Sequence, residues 1–301
     1  MGLDEKGAPI EILIQTLAST LRVSTPLVLA SSGGLVSERS GVINIALEGM
    51  MLFGGFMAAA GAYFFHSAWL GALIGVAAGV FLAALYGLCV IELKSDQIVA
   101  GTAMNFLAMG LVPFLSKLFF DSTGSTPSLP IASRFQWEPV VIAWAVVLLI
   151  HFWMKKTPSG LWVQFAGENP DALDAAGVRV KRVRWMSVLL SGALAGLSGV
   201  SLSIFLSSSF SRNMTAGRGF MAIAALIFGK WKPIPAALAC LLFGFSEAIQ
   251  IRLQGVVLWG TEPVPVQFIQ ILPYLLTILV LAGLVGKSLA PKSLGVPFEK
   301  V

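Results

Sequence analysis

Long, almost uncharged apolar runs follow one another along this chain with only short polar breaks, and that pattern leaves few folds open. The clearest runs cover residues 67–91, 98–120, 140–154, 186–206, 236–251 and 266–285. A helix needs about 20 mostly apolar residues to cross the hydrocarbon of a bilayer. Two more runs, 10–31 and 42–65, carry polar interruptions. A short one, 220–229, would be only about 15 Å long as a helix, so it is either re-entrant or extended by its flanks. Charged residues make up 12% of the chain, against roughly 25% in a soluble domain. The expectation is an all-α, polytopic membrane helix bundle forming one domain over residues 1–301, with about nine transmembrane helices including the short or re-entrant segment.

Small residues support close helix packing. Gly71, Gly75 and Gly79 share one helix face, as do Gly192 and Gly196, and such spacing lets backbones approach. Packing within the subunit is the expectation, ahead of a dimer interface. Cys89 and Cys240 sit in apolar runs without a CxxC pattern, so they read as core and carry no metal or redox signal. His66 and His151 fall near opposite membrane faces and read as interfacial packing. The mixed charge of the first residues argues against a cleaved signal peptide.

Cationic residues set the orientation, because Lys and Arg accumulate in cytoplasmic connections. With the basic segment 155–184 inside, the connections holding Arg39, Lys94, Lys230 and Lys232 also fall inside, as does the C-terminus with Lys287, Lys292 and Lys300. The N-terminus and the connection 121–138 are then outside. Arg134, Arg212, Arg218 and Arg252 fall on the outer side of this scheme.

The basic segment, from Met154 to Trp185, holds Lys155, Lys156, Arg179, Lys181, Arg182 and Arg184. Inside it, GENPDALDAAGV carries the chemistry of a short helix. Asn169 can cap, Pro170 suits the first helical position, and Asp171 and Asp174 sit in the first turns. Gly177 is placed to end it. Burial in a partner's groove and attachment to anionic lipid both suit such a segment on physical grounds.

Polar residues inside the apolar runs are the candidate solute pathway. Glu48 lies just inside the second run, one expected helical turn from Asn44. A lone carboxylate at helix depth costs about 2.5–3.5 kcal/mol, so Glu48 should face protein or water. Asn44 and Glu48 are candidate gate contacts; a structural bond to neighbouring backbone is the alternative. Asn105 follows Gln97, and Glu247 is paired in spacing with Gln250. Each of these can meet a polar solute or bond across helices. Phe53, Phe56, Phe106 and Phe220 are candidate stacking surfaces or plain packing.

Three stretches carry a resemblance to a known family. AGENPDALDAAGV followed by VRWMSVLLSGALAGLSGV is similar to the coupling region of bacterial ABC importer permeases of the ribose and branched-chain amino-acid class. SSGGLVSERSGVINIALEGMMLFGGFMAAAGAY and AGRGFMAIAALIFGKWKP resemble the same family in collinear order, from about Gln15 to Val285. GLVSERSGVINIALEGMM is most like the nucleoside-type members. Ribose-type members usually carry an extra helix before the first one, and the apolar runs lead one to expect none of that kind here.

The resemblance implies the transmembrane permease subunit of an ATP-driven importer in the bacterial plasma (inner) membrane. Its implied partners are an ATP-binding subunit, a second permease subunit (a longer paralogue) and an extracytoplasmic substrate-binding protein that delivers the solute. The coupling helix would be Glu168, Asn169, Pro170, Asp171, Ala172, Ala175, Ala176 and Gly177, with Ala175 and Ala176 giving it a small contact face. Nucleosides lead as solute, ribose-type sugars follow and branched-chain amino acids come third. An ion-coupled secondary transporter and a lipid-binding scaffold are the readings from other classes. No cofactor and no nucleic-acid partner is expected, and ATP hydrolysis belongs to a separate subunit. The nearest approach to a phosphate loop, LAGLVGKS at 281–288, has Leu281 where the first glycine belongs.

Overall fold

The computed structural model describes residues 8–253, 271 and 289–299. Its regular elements are helices: α1 (Ala8–Arg39), α2 (Leu47–Phe65), α3 (Ala68–Gly87), α4 (Gln97–Phe120), α5 (Glu138–Lys156), α6 (Pro158–Glu168), α7 (Pro170–Ala175), α8 (Val180–Val200), α9 (Arg218–Phe228) and α10 (Pro233–Leu253). Short π-helical turns, Leu88–Glu92 and Ser201–Leu206, extend α3 and α8. Among the described residues, seven helices are long and apolar enough to cross a membrane, and α9 is a shorter apolar one. The chain is a polytopic helical bundle. The expected last crossing, 266–285, and the stretch 281–288 lie outside the described residues.

Glycine decides how tightly the centre closes. A Cβ added to Gly54 of α2 would lie 2.7 Å from the Cα of Gly196, and one added to Gly75 would lie 2.7 Å from the carbonyl of Gly54. One on Gly196 would lie 2.7 Å from the carbonyl of Gly75. Three backbones therefore meet where side chains would hold them apart. The face of Gly71, Gly75 and Gly79 packs on α2 and α8 of the same chain, as expected. As a result α2 is 83% buried over its span whereas α4 is 28% buried, which makes α2 the central helix and α4 a peripheral one.

The connection 121–138 docks on the far end of α8. Leu129 N–H donates to the Ser208 carbonyl at 2.7 Å, and Phe135 N–H to that of Ile204 at 3.3 Å. From there residues 207–217 turn into the bundle, and α9 completes the passage to Trp231, which bonds Glu38 beside Arg39 at the opposite end. The short apolar run forms α9, Arg218–Phe228, which is shorter than a helix needs to be to cross a bilayer alone.

Two boundaries differ from the sequence reading. α1 runs on to Arg39 because Gly33 lets it press on α8: a Cβ there would stand 2.8 Å from the Ser191 carbonyl. Asn44 is not on a helix with Glu48, since α2 begins at Leu47. Residues 42–46 are irregular, with Val42, Asn44 and Ala46 buried, and side chains satisfy part of their backbone. Ser37 Oγ donates to the Val42 carbonyl at 2.8 Å, and Ile43 N–H donates to Gln97 Oε1 at 2.8 Å. Hydropathy cannot separate such a segment from helix. The basic segment is also more helical than expected. Thr157 accepts the Gly160 N–H at 3.2 Å and Pro158 takes the first position, which starts α6 in a stretch that the sequence reading leaves unassigned.

Candidate functional site

One end of the bundle gathers the connections rich in Lys and Arg. There α7 is capped as its sequence dictates: Asn169 Oδ1 accepts the Ala172 N–H at 3.1 Å, and Pro170 occupies the first position. Ala176 caps the C-terminus, and Gly177 follows at φ +84°, a left-handed conformation that glycine adopts without strain. Leu173 roots the helix in an apolar cluster with Leu35, Val163 and Val180. Asp171, Ala172, Ala175 and Ala176 face outward and are exposed. The outcome is a short peg with one buried leucine and a small, uncovered face.

Ionic and backbone bonds tie the peg to the bundle. Glu168 lies 3.5 Å from Arg39 Nη1, and Arg39 Nη2 donates to Gln164 Oε1 at 2.7 Å. Residues 289–299 cross the same end. Ser293 N–H donates to the Gly167 carbonyl at 2.8 Å, and Gly295 N–H donates to that of Gly41 at 3.0 Å. Arg184 Nη1 donates to the Val296 carbonyl at 2.8 Å. Lys94 pairs with Glu299 at 2.5 Å, and this hydrogen bond holds the exposed Glu299 carboxyl below its ordinary range. The segments holding Arg39 and Lys94, the segment 155–184 and the C-terminal residues, all assigned to one side from charge, therefore meet at one end.

Asn44, Glu48, Asn105 and Glu247 each bond to another element among the described residues, although the buried Asn44 Oδ1 has no partner. Asn44 Nδ2 donates to Ser191 Oγ of α8 at 2.8 Å. Asn105 bridges to the start of α2, accepting the Gly49 N–H at 2.8 Å and donating to the Ile45 carbonyl at 3.0 Å. Glu48 accepts two backbone donors at the start of α9, Gly217 N–H at 2.9 Å and Gly219 N–H at 2.6 Å. It supplies from α2 the negative charge that a helix N-terminus attracts. Glu247 forms an ion pair with Arg218, the first residue of α9. Of the aromatic candidates, Phe53 and Phe56 are buried whereas Phe106 and Phe220 are exposed. Phe56 packs edge-on against Phe210 at 5.5 Å between centroids.

Sequence reading missed the fixing of the other end of α9. Trp231 Nε1 donates to Glu38 Oε2 at 2.6 Å, and both residues are buried. Trp231 and Lys230 hold positive φ angles of +52° and +54°. The lone Trp between two lysines in GKWKP was the available signal. A half-length helix is thus held at its start by Glu48 and Glu247 and, just past its end, by Glu38.

Residues 16–281 match the model of a family described as branched-chain amino acid transport system / permease component. The nucleoside ABC transporter permease protein NupC of Lactococcus lactis subsp. cremoris (strain MG1363) is 36% identical, over 94% of this chain and 96% of its own length. The guanosine ABC transporter permease protein NupQ of Bacillus subtilis (strain 168) is 35% identical, over 97% of this chain and 98% of its own. Among solved structures, an inward-facing conformation of an ABC transporter described as metal-chelate type superposes with a TM-score of 0.52. That superposition covers 94% of this chain and 90% of the other at 15% identity, a likeness of fold.

Proposed function

We propose a specific role for this chain, which belongs to the branched-chain amino acid transport system / permease component family: it is the permease subunit of an ATP-driven importer of nucleosides. The observation that carries this reading is the near full-length similarity to permeases of nucleoside and guanosine transporters. The other parts of the machine follow from that role. A separate ATP-binding subunit hydrolyses ATP, a second permease completes the pathway, and an external binding protein delivers the solute. The basic end faces the cytoplasm.

In this reading α7 is the coupling helix. Its exposed alanine face seats in the ATP-binding subunit, and its displacement is felt at Arg39 through Glu168 and Gln164. Arg39 adjoins Glu38, which holds Trp231 just past the end of α9. The opposite end of α9 rests on Glu48 and Glu247. A shift of the α1 terminus would then tilt α9 about its Glu48 cap, and α9 lies where a half-helix could open or close a path at mid-depth. Asn44 and Asn105 hold the start of α2, and with it Glu48, in place.

The test is to replace residues 171–176 by a flexible Gly/Ser stretch in the assembled complex. The variant should insert normally and lose solute-stimulated ATP hydrolysis. Unchanged stimulation would remove α7 from the coupling role.

A further inference from the structure

Beside α7 at the basic end lies a cleft of about 510 Å³. Its walls come from the α3–α4 turn, α7, the start of α8 and the C-terminal residues, and include Glu92, Asp174, Arg179, Lys181, Arg184 and Glu299. Of its acidic groups, Glu92 is engaged by Lys181 and Glu299 by Lys94, and Asp174 is not free either. Arg184 is different. It is 3% exposed, its terminal nitrogens bond only carbonyl oxygens, of Val296 and Ala166, and its buried Nε has no partner. Among the described residues no carboxylate forms an ion pair with it. A buried guanidinium without an anion is costly.

The start of α8 points the same way. Arg179 is the N-cap residue and contributes no side-chain cap. The amides of Arg182 and Val183 turn back to the Arg179 carbonyl, and Arg179, Val180 and Lys181 form part of the cleft wall. A helix N-terminus offers free N–H donors and a partial positive charge, a combination that favours phosphate, and arginine adds paired donors of matching geometry.

We propose that this cleft binds a phosphate group, either soluble phosphate from the cytoplasm or the phosphate of an anionic lipid headgroup at the membrane surface. The bound group would bridge the start of α8 to the α3–α4 turn and the C-terminal residues. It would stiffen the frame on which α7 is mounted. Asp174 at its edge belongs to α7, while Asp171, Ala172, Ala175 and Ala176 of the outward face lie outside its lining.

The experiment uses the purified full-length chain in nanodiscs. In one arm the discs are zwitterionic phosphatidylcholine, and inorganic phosphate is titrated against chloride at constant ionic strength. In the other, phosphatidylglycerol replaces part of the lipid and no phosphate is added. Thermal unfolding is followed in both. The expected result is a saturable rise in the unfolding temperature in at least one arm. Arg179→Glu, at an exposed position, should weaken the response at least about tenfold. A response to phosphate alone assigns the soluble source. A response to phosphatidylglycerol, with inorganic phosphate competing, assigns the headgroup. Arg184→Lys keeps the charge and removes Nε; its response should also weaken, and Arg179→Glu decides the matter if that variant does not fold. No saturable response in either arm, or an equal response in Arg179→Glu, overturns the proposal. Binding is read on the chain alone, so the outcome is independent of whether nucleosides are the cargo.

Discussion

The indole N–H of Trp231 donates to the carboxylate of Glu38 at 2.6 Å, inside the protein and across 193 residues of sequence. The bond pins the turn after α9 to the end of α1. Trp231→Phe keeps most of the ring volume and removes the donor, leaving Glu38 short of a partner. The expected loss is about 1–3 kcal/mol, read as a lower unfolding temperature in detergent or nanodiscs. An unchanged unfolding temperature would mean that the bond contributes nothing to holding α9.

Glu48 caps the other end of the same helix. Glu48→Gln retains one acceptor oxygen and loses the charge that faces the α9 amides. The chain should still insert, while solute uptake by the complex falls about tenfold, equivalent to about 1.4 kcal/mol. Insertion and uptake both unchanged would rule out Glu48 as a gate contact and leave it a dispensable cap.

The glycine contact of α2, α3 and α8 yields opposite expectations for two alanine substitutions. In Gly196→Ala the new methyl would sit 2.7 Å from the Gly75 carbonyl, where only backbone movement can make room. Overpacking of this kind costs about 1–3 kcal/mol. Gly110 of α4 has nothing within 4 Å of its added Cβ, so Gly110→Ala should be neutral or stabilising by up to about 1 kcal/mol. Thermal unfolding of the two variants side by side checks this; equal effects would contradict the packing account.

Orientation can be read with single cysteines and a membrane-impermeant thiol reagent, in a background lacking Cys89 and Cys240. Ser125→Cys, on the connection docked at the far end, should label in intact cells. Ala175→Cys on α7 should label only after the membrane is opened. The reverse pattern would invert the bundle.

Much of this architecture was legible because single-residue chemistry fixes it locally. Apolar runs long enough to span became α3, α4, α5, α8 and α10, and Asn169–Pro170 started α7 where capping rules place a helix. What stayed hidden depended on partners far away in sequence. Asn44 looked helical because residues 42–46 are apolar, yet Ser37, Gln97 and Ser191 satisfy that stretch from other elements. Arg184 was one of six cations in the basic segment, and only the fold places it under the C-terminal residues. Glu247 finds Arg218, and Glu38 finds Trp231, through turns whose course no periodicity announces.

The central claim is tested most directly by energised uptake. The chain is reconstituted with a paralogous permease, the ATP-binding subunit and the binding protein, and labelled nucleosides are offered with and without excess ribose. The account predicts ATP-dependent nucleoside accumulation that ribose barely inhibits. Accumulation that proceeds without ATP, or ribose uptake in place of nucleoside uptake, would contradict it.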